Sequence, residues 1–125
     1  MSAPRDRIIR TALWASVALN TLGVVVFGLP ALGHATPLLP IDVPPFFAAQ
    51  IAFTIALFGG VYAWLARRPR IDRPLVIVGG VGKLGFFALS VLYAVTGAIP
   101  AGMAVNATPD LVFAMIFLWW ARTDA

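Results

Sequence analysis

The sequence predicts an all-α integral membrane protein, a bundle of four transmembrane helices with both termini in the cytoplasm. Three observations predict it. Of the 125 residues, 61% are hydrophobic and only 11% charged, and the mean hydropathy is +0.93. An ordinary soluble domain is roughly 45–50% apolar and about 25% charged, so too little polar surface remains to cover a globule of this size in water. The apolar residues also gather into four runs, and each run has arginine at one end only.

The runs are taken in chain order. A crossing helix needs about 20 apolar residues to traverse roughly 30 Å of hydrocarbon. Spans are expected at about 8–29, 46–66, 75–96 and 107–122. The first has a second reading, a cleaved signal peptide ending near Ala35. Its apolar stretch exceeds the usual 7–15 residues, however, and carries Asn20 in its middle. The second and third spans have the length outright. The fourth is short, strongly apolar only over about 109–121, so it is expected to begin in the preceding segment or to sit in locally thinned bilayer. Four spans with short connections make one domain over 1–125. The first external connection holds five of the ten prolines, Pro30, Pro37, Pro40, Pro44 and Pro45. Proline cannot continue a helix, and a stiff, extended loop across the outer mouth of the bundle is expected, as a lid or a plain connector.

Charge sets the orientation. Arg5, Arg7 and Arg10 precede the first run, Arg67, Arg68, Arg70 and Arg73 separate the second from the third, and Arg122 follows the fourth. Connections 30–45 and 97–108 contain no Lys or Arg. The positive-inside rule then places both termini and the short middle loop in the cytoplasm. Trp14, Trp64, Trp119 and Trp120 all lie near the arginine ends, where an interfacial aromatic belt belongs.

Several chemistries are excluded or disfavoured. The net charge of +4 is spread around apolar runs and does not form the basic face that nucleic acid requires. With no cysteine there is no disulfide or thiolate site. The single histidine, His34, rules out bis-histidine haem ligation within one chain. Glutamate is absent, and no nucleophilic triad can be assembled. The glycines before Lys83 imitate a phosphate loop, yet Ile77 and Leu84 stand where that loop needs Gly and Ser or Thr. No catalytic residue, cofactor or metal is expected.

Polar residues inside the spans are the candidate site. Lys83 lies about 15 Å from the arginine edge at helical rise, Asp110 about 18 Å, Asn20 about 15 Å and Thr54 about 20 Å. Intramembrane charges face the bundle interior and pair. A buried polar layer is therefore expected, with a Lys83–Asp110 ion pair at its centre. Helical spacing extends the inward faces. The first carries Ser16, Asn20, Gly23 and Phe27; the second Gln50, Thr54, Leu57 and Val61. The third carries Gly79, Lys83, Phe86, Ser90 and Tyr93, and the fourth Asp110, Phe113, Phe117 and Ala121. Gly79, Gly82 and Gly85, with Gly59 and Gly60, read as close helix contacts. Three roles stay open for the pair: a structural lock on helix register, a ligand or ion site, and separate charges that snorkel. Thr108-Pro109-Asp110 also has the form of a helix start, which would make Asp110 a capping acid.

Gly82-Lys83-Leu84, with Asp110-Leu111-Val112-Phe113-Ala114 and Trp119-Trp120-Ala121-Arg122, resembles small bacterial four-helix membrane proteins of the DoxX-like group. The resemblance implies a four-helix bundle in the inner membrane and carries no particular activity with it. The thiol and quinone-linked redox roles suggested for some DoxX-like proteins gain no support here, since cysteine is absent. Small multidrug-resistance transporters share the size but depend on a membrane glutamate, and dual-topology fluoride channels need a weaker charge bias. Two functions remain in view. One is an interaction protein or accessory subunit, docking on a larger membrane protein or on a second copy. The other is a binder or carrier of a small amphipathic ligand, held by the polar layer and ringed by Phe86, Phe113, Phe117 and Tyr93. Membrane lipids are partners in both.

Overall fold

A computed structural model describes residues 3–123. Among them all regular structure is helical: α1 (Ala3–Ala31), α2 (Pro45–Arg67), α3 (Arg73–Val95), α4 (Ala101–Asn106) and α5 (Thr108–Thr123). Four helical segments are long and apolar enough to cross a membrane: Pro4–Ala31, Pro45–Arg67, Arg73–Val95 and Ala101–Arg122. The fourth takes its missing length from the segment before it. Its axis is interrupted at Ala107, where α4 closes by donating the Ala107 N–H to the carbonyls of Met103 and Ala104. Pro109, lacking an N–H, cannot extend that ladder, and the chain restarts as α5.

Local chemistry explains the other boundaries. α1 begins well before residue 8 and ends at Gly33, whose φ of 85° lets the His34 N–H reach back to the Leu29 carbonyl at 2.8 Å. That left-handed residue with a five-back bond is a Schellman stop, a geometry that glycine adopts without steric cost. Gly97, at φ 81°, ends α3 the same way, with Ala98 donating to Tyr93. At the other end of α3, the Asp72 carboxylate accepts from the Leu75 N–H at 3.0 Å and Pro74 fills the first turn.

The helices pack as two antiparallel pairs. α1 lies along α2 and α3 along α5, whereas α2 and α3 barely touch and α1 meets α5 over a shorter stretch. The core gathers at the arginine end, from Ile9, Leu13, Leu65, Ile71, Val76, Phe117 and Trp120. Arg10 ties this end together. Its guanidinium donates to the carbonyls of Ala66, Arg68 and Pro69 at 2.8, 2.7 and 3.1 Å, which satisfies one C-terminal carbonyl of α2 and two of the connection after it. Trp120 does not join an interfacial belt. It is 2% exposed, and its indole N–H donates to Asp6 at 3.1 Å, joining α5 to α1. Trp14, Trp64 and Trp119 remain substantially exposed.

Glycines set the close approaches, but not all of those expected. A Cβ on Gly79 would lie 2.9 Å from the Tyr62 ring, and one on Gly80 would lie 2.9 Å from Leu118. Gly59 takes Asn20 of α1 against it. Gly60, Gly82 and Gly85 have open space where a Cβ would stand, so these three are not contact points.

Candidate functional site

The two helix pairs close at the arginine end and part toward the proline-rich loop. Between them runs a cleft of about 680 Å³. Its walls are apolar, from Gly23, Phe27, Ile55, Phe58 and Phe86 among others, and Leu38 and Leu39 of the loop with Met103 of α4 line its mouth. Leu39 is 7% exposed, so the loop is folded onto the bundle rather than standing free.

The polar groups collect at one level of the cleft. Lys83 Nζ lies 3.1 Å from Asp110 Oδ1, with side-chain exposures of 3% and 17%. The ammonium also sits over the faces of Tyr62 and Phe113, 5.0 and 5.5 Å from their centroids. A cation deprived of water gains from such ring faces as well as from its counter-ion. Asp110 stands in the first turn of α5, where the helix dipole favours a carboxylate. Asp110 thus forms the expected ion pair from the first turn of α5, but among the described residues its carboxylate accepts no backbone N–H, so it does not cap the helix.

Asn20 lines the cleft and donates its amide N–H to the Ile55 carbonyl at 2.9 Å. Its carbonyl oxygen is left for other partners. Thr54 lines the cleft too, but it is exposed and its hydroxyl donates to the Gln50 carbonyl one turn back. It contributes little to a buried layer. Gln50, Ser90 and Tyr93 do not belong to the site. Gln50 is exposed, Ser90 donates to the Phe86 carbonyl of its own helix, and Tyr93 is 50% exposed. None of the three lines the cleft.

The inward face of α2 is turned by about one residue from the Gln50–Thr54–Leu57 part of the expected series, while Val61 does pack against the core. Leu57 is 55% exposed, whereas Ile55, Phe58, Tyr62 and Leu65 face inward. Gly59 lies on the side of α2 that α1 approaches, where a Cβ would stand 3.3 Å from Asn20. Of the expected aromatic ring, Phe86 lines the cleft and Phe113 touches the cation. Phe117 is buried beneath, edge-on to Tyr62 at 5.6 Å. Sequence reasoning missed Tyr62, which contacts both the cation and Phe117. The signal was its place at i+4 from Phe58 and i+7 from Ile55, a stripe as regular as the one that starts from Thr54. Asn106, at the end of α4, also lines the cleft. Among the described residues no cluster of His, Cys, Asp or Glu could hold a metal.

Fold and site define a four-helix protein with a deep apolar cleft and an internal ion pair. Compared with protein-family models, curated proteins and solved structures, the chain matches none.

Proposed function

We propose that this chain is a multi-pass protein of a bacterial-type cytoplasmic membrane that binds a small, uncharged amphipathic ligand in the cleft. Its arginines at one end of every span, its apolar outer surface and its resemblance to DoxX-like proteins support the placement, with both termini inside. The chain acts as one domain and no catalytic step is assigned to it.

One observation carries the ligand reading: an apolar cleft whose charged lining residues, Lys83 and Asp110, neutralise each other. Small-molecule pockets of roughly 300–1,000 Å³ are mostly apolar with a few placed polar groups, and this cleft has that size and character. A charged headgroup entering it would either break the pair or stay uncompensated in an apolar setting, and both are costly. An uncharged head that donates to the Asn20 carbonyl or Asp110 and accepts from Lys83 meets no such cost. A hydroxyl-bearing lipid has the right character.

Gly82 provides the test. It lines the cleft and has open space where a Cβ would stand, so the side chain of Gly82→Leu starts without a clash and enters ligand volume. Native mass spectrometry from mild detergent is expected to find an uncharged amphiphile on the wild type and to lose it in Gly82→Leu. A wild type that carries none, or a variant that carries as much, contradicts the cleft as a binding site.

The accessory-subunit reading draws on the outer surface. Gly85 faces open space on α3, with Leu89 and Leu92 exposed beyond it. Small outward residues let a partner helix or a second copy approach closely, and a stoichiometric protein partner in the same spectra would favour this function.

A further inference from the structure

We infer that the arginine end of α2 carries a second, separate site, for one anionic phospholipid of the leaflet on that side. A shallow groove of about 390 Å³ runs there, lined by Gly60, Ala63, Trp64, Arg67 and Arg68. It is distinct from the cleft, with which it shares no residue. Its shape follows from sequence. Gly60 and Ala63 put almost no side chain on the helix surface, and a Cβ on Gly60 would meet nothing within 4 Å. About 10 Å further along the axis, at helical rise, the chain changes from apolar to cationic within one turn.

The two ends of the groove suit the two parts of one molecule. The glycine–alanine floor and the Trp64 face offer an acyl chain a smooth apolar track. Trp64 is 45% exposed, so its ring is free to pack on that chain. The Arg68 guanidinium lies 4.7 Å from the Trp64 ring centroid, which holds it over the groove. Arg67 is exposed beside it, and among the described residues neither has an acidic partner. Arginine presents a planar fork that grips phosphate oxygens in pairs. Two such groups at the mouth of an apolar track match a phosphodiester carrying net negative charge, and they discriminate against a zwitterionic head. Basic residues beside a membrane gain roughly 1 kcal/mol each from anionic lipid, so two correspond to a preference of about 10–30-fold.

The site rests on the membrane placement proposed above. Failure of that placement is read separately, as full chain recovered in the aqueous fraction instead of the membrane pellet. The site itself is tested on full-length protein in detergent doped with equal phosphatidylglycerol and phosphatidylcholine, with retained lipid counted by native mass spectrometry. Wild type is expected to retain phosphatidylglycerol by about 10–30-fold over phosphatidylcholine. The double variant R67Q/R68Q is expected to bring that ratio near one. It should fold normally, because Arg10 bonds the Arg68 backbone carbonyl and not its side chain. Gly60→Leu fills the track with both charges intact and is expected to lower phosphatidylglycerol retention. R7Q/R122Q, removing equal charge elsewhere at the same end, is expected to keep the preference. Equal retention of the two lipids by wild type, an unchanged preference in R67Q/R68Q, undiminished retention in Gly60→Leu or an equal loss in R7Q/R122Q each overturns the site.

Discussion

Asp110→Asn is expected to lower the unfolding free energy by about 3–5 kcal/mol, the cost of leaving one member of a buried pair without the other. The Lys83 ammonium, 3% exposed, would keep the Tyr62 and Phe113 ring faces and a neutral amide oxygen, but no counter-charge. Lys83→Met is expected to cost less, about 2–3 kcal/mol. The Asp110 carboxylate left behind is 17% exposed and stands in the first turn of α5, so some water and the helix dipole still stabilise it. Combined, K83M/D110N should recover to within about 1 kcal/mol of wild type, because removing both charges removes the desolvation cost with the attraction. Equilibrium unfolding in mixed micelles measures all three. Additive losses in the double variant would show that the two charges do not act on each other.

Phe117→Ala is expected to cost about 3 kcal/mol, at the low end for buried aromatics. Phe117 is fully buried where the two helix pairs meet, with Tyr62 of α2 edge-on at 5.6 Å and Gly79 of α3 beneath its ring. In lipid or detergent the solvent-transfer part of the loss is small, since the surroundings are themselves apolar. The lost van der Waals contacts and the cavity remain. Because Phe117 keeps the hairpins together at the closed end, its loss should also loosen the cleft above it. The same unfolding experiment gives the energy, and faster amide exchange in α2 and α5 than in α1 would report the loosening. An effect below about 1 kcal/mol would mean that the hairpins are held mainly by the Trp120–Asp6 bond and by Arg5 donating to the Trp120 carbonyl.

The fold was legible because its causes are local. Span length, proline and glycine stops, and the one-sided arginines can each be read residue by residue. Lys83 and Asp110 were legible for a different reason. In an apolar span a charge has few acceptable partners, so depth along the helix nearly determines which residues meet. Hydroxyl and amide residues carry no such constraint. Thr54 and Ser90 satisfy their hydroxyls on carbonyls one turn back in their own helices, which frees them to face any direction. Their positions therefore said nothing about the site, and using Thr54 to orient α2 turned its face away from Tyr62. The break at Ala107 was legible as well, since Thr108-Pro109-Asp110 has the form of a helix start and α5 begins at Thr108. Arg10 and Trp120 were read by average behaviour, as interfacial charge and aromatic belt. Their actual bonds, to the α2 terminus and to Asp6, join residues far apart in the chain.

Charge selectivity of the cleft is the most direct measurement. Single-chain amphiphiles of one chain length, ending in a hydroxyl, a carboxylate or an ammonium, are compared by thermal melting of the wild type and Gly82→Leu. A ligand at 100 times its Kd stabilises the folded state by about 2.7 kcal/mol, enough to raise Tm visibly. The hydroxyl compound is expected to raise the wild-type Tm and leave Gly82→Leu unmoved, while either charged compound moves both proteins alike. A carboxylate or ammonium compound that raises the wild-type Tm more than the hydroxyl compound does, and loses that rise in Gly82→Leu, would contradict a cleft whose two charges already neutralise each other.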